Sequence, residues 1–487
     1  MPSSPDLLLI AAAILLPLSG AVAAFAAPRA ARWVGVGVAV VLAVNAATLS
    51  YQVAAYGEAR YEVGGWTAPL GIALAVDGLS AFMLMTTAAA GLAAMLYGAS
   101  YFGRDPERSA AFVPLALLLL TGLDALFLSG DVFNLYVTLE LVGLAAVGLV
   151  ATAGGAAALT GAMRYLLVTF LASLTYLLGV ALLYHLTGTL DIATLGAVLE
   201  TGPVSWTALS LMTAAMLLKS ALFPLHFWLP PAHSSAPAPV SALLSALVVK
   251  ASLYLMLRLW VDVMPADKQA LGSALGGLGA LAVLWGSFQA LRQDRLKQLV
   301  AYSTIAQLGY LFVPFAVQSA AAATAWRGAL YLVLCHALAK TAMFMSVGNI
   351  QTFGGDRISQ LDHAVQRLPL TMAAFAIAGV TIAGLPPSGG FIAKWLILEA
   401  LIAEERWWLA FVVVLGGLMA SIYVFRVVGP AFTKGVQPRA PRRVPHTMEW
   451  VAFALAIATL VLGFTAPPLL RLLDAGAPFA GVAEDAL

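Results

Sequence analysis

Charge is what this sequence has least of. Only 10% of its 487 residues are charged, against roughly 25% in soluble domains, while 62% are hydrophobic and the mean hydropathy is +0.93. So few charges cannot cover a water-facing surface. The apolar runs are continuous over about 20 residues rather than alternating, so they read as membrane helices and exclude a transmembrane barrel. Cysteine is nearly absent too, with Cys335 alone inside an apolar segment. A disulfide within the chain is excluded, and no cluster remains for an iron–sulfur centre, so no cofactor is expected. The net charge of +2 provides no basic stripe for nucleic acid. Gly-rich phosphate loop, Ser/His/Asp arrangement and metal-ligand spacing are also missing, so no catalytic centre and no metal site are expected. Asp6 precedes the first apolar segment where a signal peptide would carry Lys or Arg, so Leu7 to Ala27 is expected to be a membrane helix.

What is there is a succession of fourteen apolar segments, at about 5–27, 32–55, 72–98, 110–128, 131–152, 161–187, 206–229, 238–260, 269–291, 297–318, 325–349, 369–403, 407–430 and 447–471. The fold class is therefore an all-α polytopic membrane protein. Of the 25 basic residues, fifteen fall in one set of alternate loops, Lys297 and Lys434 to Arg443 among them. Six, including Arg258 and Lys268, fall in or beside the other set. By the positive-inside rule both termini face outward, across a bacterial inner (plasma) membrane. The four left over, Lys219, Lys250, Lys340 and Lys394, lie inside helices.

Two segments are interrupted. The seventh meets Pro224 and ends at Pro230-Pro231, and the twelfth contains Gly384-Leu-Pro386-Pro387-Ser-Gly389-Gly390. Proline removes a backbone donor and glycine permits unusual dihedrals, so both helices are expected to break inside the membrane. The breaks are five helices apart, an odd offset that inverts a repeat. The expected organisation is residues 1–109 (helices 1–3), 110–262 (helices 4–8), 263–430 (helices 9–13, inverted) and 431–487 (a loop and helix 14). Interrupted helices at matching positions of inverted halves point to an ion path.

Lys250 stands about twelve residues into its helix, about 18 Å deep at 1.5 Å per residue, near the middle of a core about 30 Å thick. A lysine there costs at least about 3 kcal/mol unless it faces a partner or water. Glu140 meets the same constraint with opposite sign. Lys219 precedes one break and Lys394 follows the other. Moving a carboxylate toward or away from such a lysine changes whether it holds its proton, which is what a proton pump requires. His226 and His233 follow Lys219, and His336 is one turn before Lys340. Tyr302, Ser303, Thr304 and Gln307 give the tenth helix a polar face. Helix-to-helix glue is the plainer reading of a single buried charge, but five charges beside two breaks favour conduction. Asp77 reads as a helix cap, and Asp124 and Asp131 as either packing or an ion entrance.

The segments Ser-Gly-Asp131-Val-Phe-Asn-Leu-Tyr-Val-Thr-Leu-Glu140, Lys219-Ser-Ala-Leu-Phe-Pro-Leu-His226-Phe-Trp-Leu-Pro-Pro-Ala-His233 and Lys297-Gln-Leu-Val-Ala-Tyr302-Ser-Thr-Ile-Ala-Gln307 resemble those of a known family. It comprises the antiporter-like subunits of respiratory complex I, membrane-bound hydrogenases and multisubunit Na+/H+ (Mrp) antiporters, and the D-type Mrp subunit is the nearest in kind. Pro231 and Gln307 depart from patterns common there. The resemblance implies pairing of Glu140 with Lys219, continuation through Lys250, and exit past Lys340 and Lys394. It further implies a proton-translocating, non-enzymatic subunit partnered by other membrane subunits, with protons and Na+ as cargo. The same chemistry fits a redox-driven complex, whereas a structural scaffold would not need paired breaks.

Overall fold

The computed structural model describes residues 6–103, 105–433 and 443–475. Arg104, Lys434, Arg439 and Arg442, counted among the loop cations, lie outside the described residues.

The chain opens with α1 (Leu7–Ala26) and α2 (Ala31–Tyr56), followed by a small antiparallel hairpin of β1 (Ala59–Glu62) and β2 (Ala73–Val76). Next come α3 (Gly78–Tyr101), α4 (Pro106–Phe127), α5 (Val132–Ala151) and α6 (Gly155–Thr187). The short α7 (Ile192–Val198) leads to a broken pair, α8 (Pro203–Lys219) and α9 (Leu229–Ser235). Four unbroken spans follow: α10 (Ala238–Val263), α11 (Gln269–Arg292), α12 (Leu296–Ala316) and α13 (Ala322–Phe353). A second broken pair, α14 (Pro369–Ala383) and α15 (Gly389–Ala403), precedes α16 (Trp407–Phe432), α17 (His446–Val461) and α18 (Ala466–Asp474).

Among the described residues eleven helices are long and apolar enough to cross a membrane, and the α17–α18 pair, bent by 76°, makes a twelfth. The two expected segments outside that count are the seventh and twelfth, each divided into shorter helices as the Pro and Gly residues require. Local sequence sets the starts. The side chains of Asp77, Asp131 and Ser388 accept hydrogen bonds from the backbone N–H groups of Ser80, Asn134 and Phe391, capping α3, α5 and α15.

Two boundaries and one helix interior differ from expectation. Residues 73–76 form a strand, so the third span begins at Gly78 rather than 72. The sixth begins at Gly155, not 161, because Gly154 adopts a positive φ of 73° that turns the chain into it. The eighth span contains π-helical stretches at Leu244–Val248 and Leu259–Val263, which hydrophobic periodicity does not signal.

Helices α10 and α13 are buried along their full apolar length and form the centre of the bundle. Apart from buried polar groups such as Lys250 of α10 and His336 and Lys340 of α13, their residues are hydrophobic on every face, as a helix needs when protein covers it all round. Outer helices instead present Phe25, Trp33, Leu167, Phe170, Phe411 and Phe425 to the exterior. That surface suits a hydrocarbon solvent.

Candidate functional site

Lys219 is the last residue of α8, and its ammonium lies 3.2 Å from Glu140 Oε1 on α5. The Ser173 hydroxyl of α6 also donates to that carboxylate. Lys219 is buried, whereas Glu140 keeps 22% of its side chain exposed at the flank of the bundle. The break after Lys219 is held by Trp228, which stacks on Tyr165 and donates its indole N–H to the Leu218 carbonyl at 3.0 Å. That bond adds to the one the same carbonyl accepts from the Ala221 N–H at the end of α8.

From the break the polar contacts step inward. Ser220 donates to Ser252 of α10 at 3.0 Å, two residues from Lys250. Lys250 is almost fully buried and donates to the Ser245 carbonyl, inside the first π-helical stretch. Ser245 and Thr304 of α12 join their hydroxyls at 2.8 Å. The neighbouring Ser303 accepts from Lys340 of α13, which also donates to the Val300 carbonyl at 3.1 Å. Gln307, one turn further along α12, donates to the Ile382 carbonyl at 3.1 Å. Lys394 of α15 donates to the same carbonyl at 2.7 Å and to that of Ala383 at 3.3 Å.

Those two carbonyls end α14, where the helix dipole is negative. Lys394 also lies 4.1 Å from the centre of the Tyr310 ring, a cation–π contact. Gly384 closes this corner with φ +79°, and a Cβ there would meet Lys394 Cδ at 2.6 Å. Both the left-handed backbone and the close approach call for glycine.

The three histidines occupy different surroundings. His233 is fully buried, stacks on Phe344 at 5.0 Å and, among the described residues, has no partner on either ring nitrogen. His336 is likewise buried, with both nitrogens unpartnered among the described residues. It sits within the electrostatic reach of Lys250, Lys340 and Lys394. His226 accepts from the Trp285 indole at 3.2 Å and faces a cavity of about 480 Å3 with Gln293, Gln298 and Tyr302. That cavity lies by the arginine-rich α11–α12 loop. A second cavity, of about 520 Å3, lies on the opposite side against the hairpin. It is floored by the Asp77–Arg258 ion pair at 2.7 Å.

Thus Ser303, Thr304 and Gln307 face the lysines, while Tyr302 turns to the His226 cavity. Asp77 caps α3 and also binds Arg258, and Asp131 caps α5. Sequence reasoning assigned Lys297 to a loop. The structure buries it in the first turn of α12, its ammonium donating to the Ala236 carbonyl between α9 and α10. Position at a helix start made it look solvated, and no local pattern shows that the α9–α10 corner covers it.

Residues 129–420, which hold Glu140, the four lysines and the three histidines, match the family described as NADH:quinone oxidoreductase/Mrp antiporter, TM. The chain belongs to that family and is a multi-pass membrane protein. The N-type subunit of an NADH-quinone oxidoreductase from Desulforudis audaxviator is 39% identical over 412 residues, 82% of this chain and 81% of that one. The D-type subunit of a Na(+)/H(+) antiporter from Bacillus subtilis is 31% identical over 406 residues, 82% and 81% of the two chains. In fold, the chain is similar to one in the Mrp complex from Dietzia sp. DQ12-45-1b, with a TM-score of 0.88 and 24% identity over 98% of this chain and 100% of that one.

Proposed function

We propose that this chain is a proton-translocating subunit of a multisubunit cation/proton antiporter, exchanging Na+ for protons across a bacterial plasma membrane. It has no catalytic centre of its own, and both termini face outward. The observation that carries the reading is the α12 ladder. Thr304 meets the Lys250 neighbourhood, Ser303 holds Lys340, and Gln307 shares its acceptor with Lys394. One helix thereby binds Lys340 directly and is linked to Lys250 through Ser245 and to Lys394 through the shared Ile382 carbonyl. The cavities on opposite sides supply approaches, the His226 cavity on the arginine-rich side and the Asp77–Arg258 cavity on the other. Buried imidazole nitrogens without protein partners suit a hydrated relay, because such groups otherwise incur a desolvation cost. The matched breaks, with Lys219 before one and Lys394 after the other, support treating 110–262 and 263–430 as inverted halves acting in series.

In this reading Glu140–Lys219 loads the proton, with His226 and His233 on the approach. Lys250, His336 and Lys340 pass it on, and Lys394 releases it. The other membrane subunits of the complex cover the flank where Glu140 is exposed. A second reading, membership of a redox-driven NADH:quinone oxidoreductase, is favoured by the 39% identity to an N-type subunit of such a complex. Purification in mild detergent separates the two. Sodium-driven proton flux from a preparation containing membrane subunits alone supports the antiporter, whereas a co-purifying flavin or iron–sulfur arm refutes it.

A further inference from the structure

The cavity against the β1–β2 hairpin ends at a guanidinium. Its lining carries Glu58, Asp77 and Asp262 against Arg60 and Arg258, an excess of acid that draws cations in. At the floor the Arg258 side chain is 11% exposed and its whole fork is engaged. Nη1 and Nη2 each reach the Asp77 carboxylate at 2.7 Å, and Nη2 also donates to the Ser80 hydroxyl at 3.0 Å. Nε donates to the Tyr254 hydroxyl at 3.0 Å, and Asp262 lies 3.8 Å from Nη1. Both Asp77 oxygens are occupied, Oδ1 by Ser80 and Nη2 and Oδ2 by Nη1.

Behind the guanidinium the way to the lysine axis is short. Lys250, Tyr254 and Arg258 follow one another at four-residue spacing on the regular stretch Val249–Arg258 of α10, so they share a face. Arg258 is about 12 Å from Lys250 along that helix at 1.5 Å per residue, with Tyr254 halfway. The hydroxyls between them are already committed. Tyr254 donates its proton to the Phe127 carbonyl at 2.7 Å and Ser80 donates to Asp77 at 2.9 Å, while the oxygen of Tyr254 accepts from Arg258.

A proton moves along hydroxyls or waters only where each oxygen takes one proton as it gives up another. A guanidinium cannot join such a chain, because it has five N–H donors, no acceptor and no proton to release near neutral pH. Its charge also repels an arriving proton or cation, as an arginine does in a water-filled pore. We infer that Arg258 is a proton barrier, which closes the hairpin cavity off from Lys250 and keeps the lysine axis from leaking protons passively between the two cavities. Asp77 is the residue that holds the barrier across the floor. The inference rests on the proton-translocating reading for its purpose and adds to it the group that stops backflow.

The test is passive proton entry into vesicles reconstituted with the full complex, without sodium, driven by a potassium diffusion potential and read with an entrapped pH dye. The wild type should hold the gradient. Asp77→Asn combined with Arg258→Gln, which keeps polar side chains but supplies acceptor oxygens and no charge, should leak protons at least tenfold faster. Arg258→His should do the same, because an imidazole can hand protons on. Adding Lys250→Met should return each leak to the wild-type rate, since the proton then has no lysine to reach. Either variant holding the gradient as well as the wild type overturns the proposal. A leak that persists with Lys250→Met also overturns it, because a helix merely displaced by the loss of an ion pair would leak whatever stands at position 250. If the double substitution does not assemble, Arg258→His decides the matter alone. The leak is read without sodium, so a wild type that shows no sodium-driven exchange counts against the antiporter reading and leaves the barrier measurable.

Discussion

Replacing Glu140 by Gln isolates the charge of the one lysine–carboxylate pair on the axis. Glutamine keeps the size of the side chain and an oxygen to accept from Ser173, and loses only the charge opposite Lys219. At 3.2 Å, with an effective dielectric constant of about 20, that charge attracts the ammonium by about 5 kcal/mol. Breaking a buried pair by removing one partner costs about 3–5 kcal/mol in practice. The partial exposure of Glu140 argues for the lower figure. Since each 1.4 kcal/mol is a factor of ten, about 3 kcal/mol lowers the population of the loaded, charged Lys219 state by roughly two orders of magnitude. Proton exchange should fall correspondingly. Lys219→Met should fall as far, and the double variant no further than either single, because both remove the same interaction. The assay is sodium-driven pH change in inverted membrane vesicles containing the assembled complex, followed with a quenched acridine dye and normalised to the amount of chain by immunoblot. Glu140→Gln exchanging at more than a third of the wild-type rate at equal abundance, or additive losses in the double variant, would refute the reasoning.

At Lys394, methionine should abolish exchange and arginine should do the same, because arginine does not release a proton near neutral pH; an active Lys394→Met in the vesicle assay would reduce the residue to packing. Gly384→Ala should destabilise the α14–α15 corner by at least about 1–2 kcal/mol through its left-handed φ alone, and should lower the thermal midpoint of the detergent-solubilised protein; an unchanged midpoint would contradict the close approach to Lys394. Single cysteines placed at Ser3 and in the Lys434 to Arg443 loop should label with an impermeant reagent on intact cells only at Ser3, and labelling of the loop from outside would overturn the topology. Ser303→Ala combined with Thr304→Val should slow exchange at least tenfold by cutting the α12 ladder, and normal rates in reconstituted vesicles would remove α12 from the path.

Much of this arrangement is legible in the order of the residues alone. Pro224, Pro230 and Pro231, and the run from Gly384 to Gly390, mark the two breaks because backbone chemistry there is local. Lys219, Lys250, Lys340 and Lys394 stand out because a charge deep in an apolar run has few innocent explanations. Legibility stops where long-range packing decides. Lys297 resembles a solvated helix start until the α9–α10 corner is laid over it, and the π-helical stretch that offers Ser245 to Lys250 has no periodic signature. Asp124 is legible only as ambiguous, because the packing that buries it and leaves its Oδ1 without a partner among the described residues involves three other helices. The strand at 73–76 is hidden because one apolar run continues from it into α3.

The partners of the lysines account for why the breaks and the charges occur together. Among the described residues, Lys219 is the intramembrane lysine that forms an ion pair with a carboxylate. Lys250 leans on a carbonyl in a π-helical stretch, Lys297 on one at the α9–α10 corner, and Lys394 on two at the end of α14. A regular helix bonds each carbonyl four residues on, and although Val300 inside α12 still accepts from Lys340, irregular backbone leaves such oxygens freer. A carbonyl accepts from an ammonium and from a neutral amine alike, so a lysine resting on one can lose its proton without stranding a buried anion. A carboxylate partner would hold the charge in place. The expected division follows: the charged pair at Lys219 captures a proton, and the carbonyl-seated lysines beyond it let the proton move on. Placing an aspartate at Ser245 opposite Lys250 should therefore slow transport rather than assist it, although it adds an ion pair. Faster exchange by Ser245→Asp in the vesicle assay would show that these lysines need anions, and that the broken helices serve some other purpose.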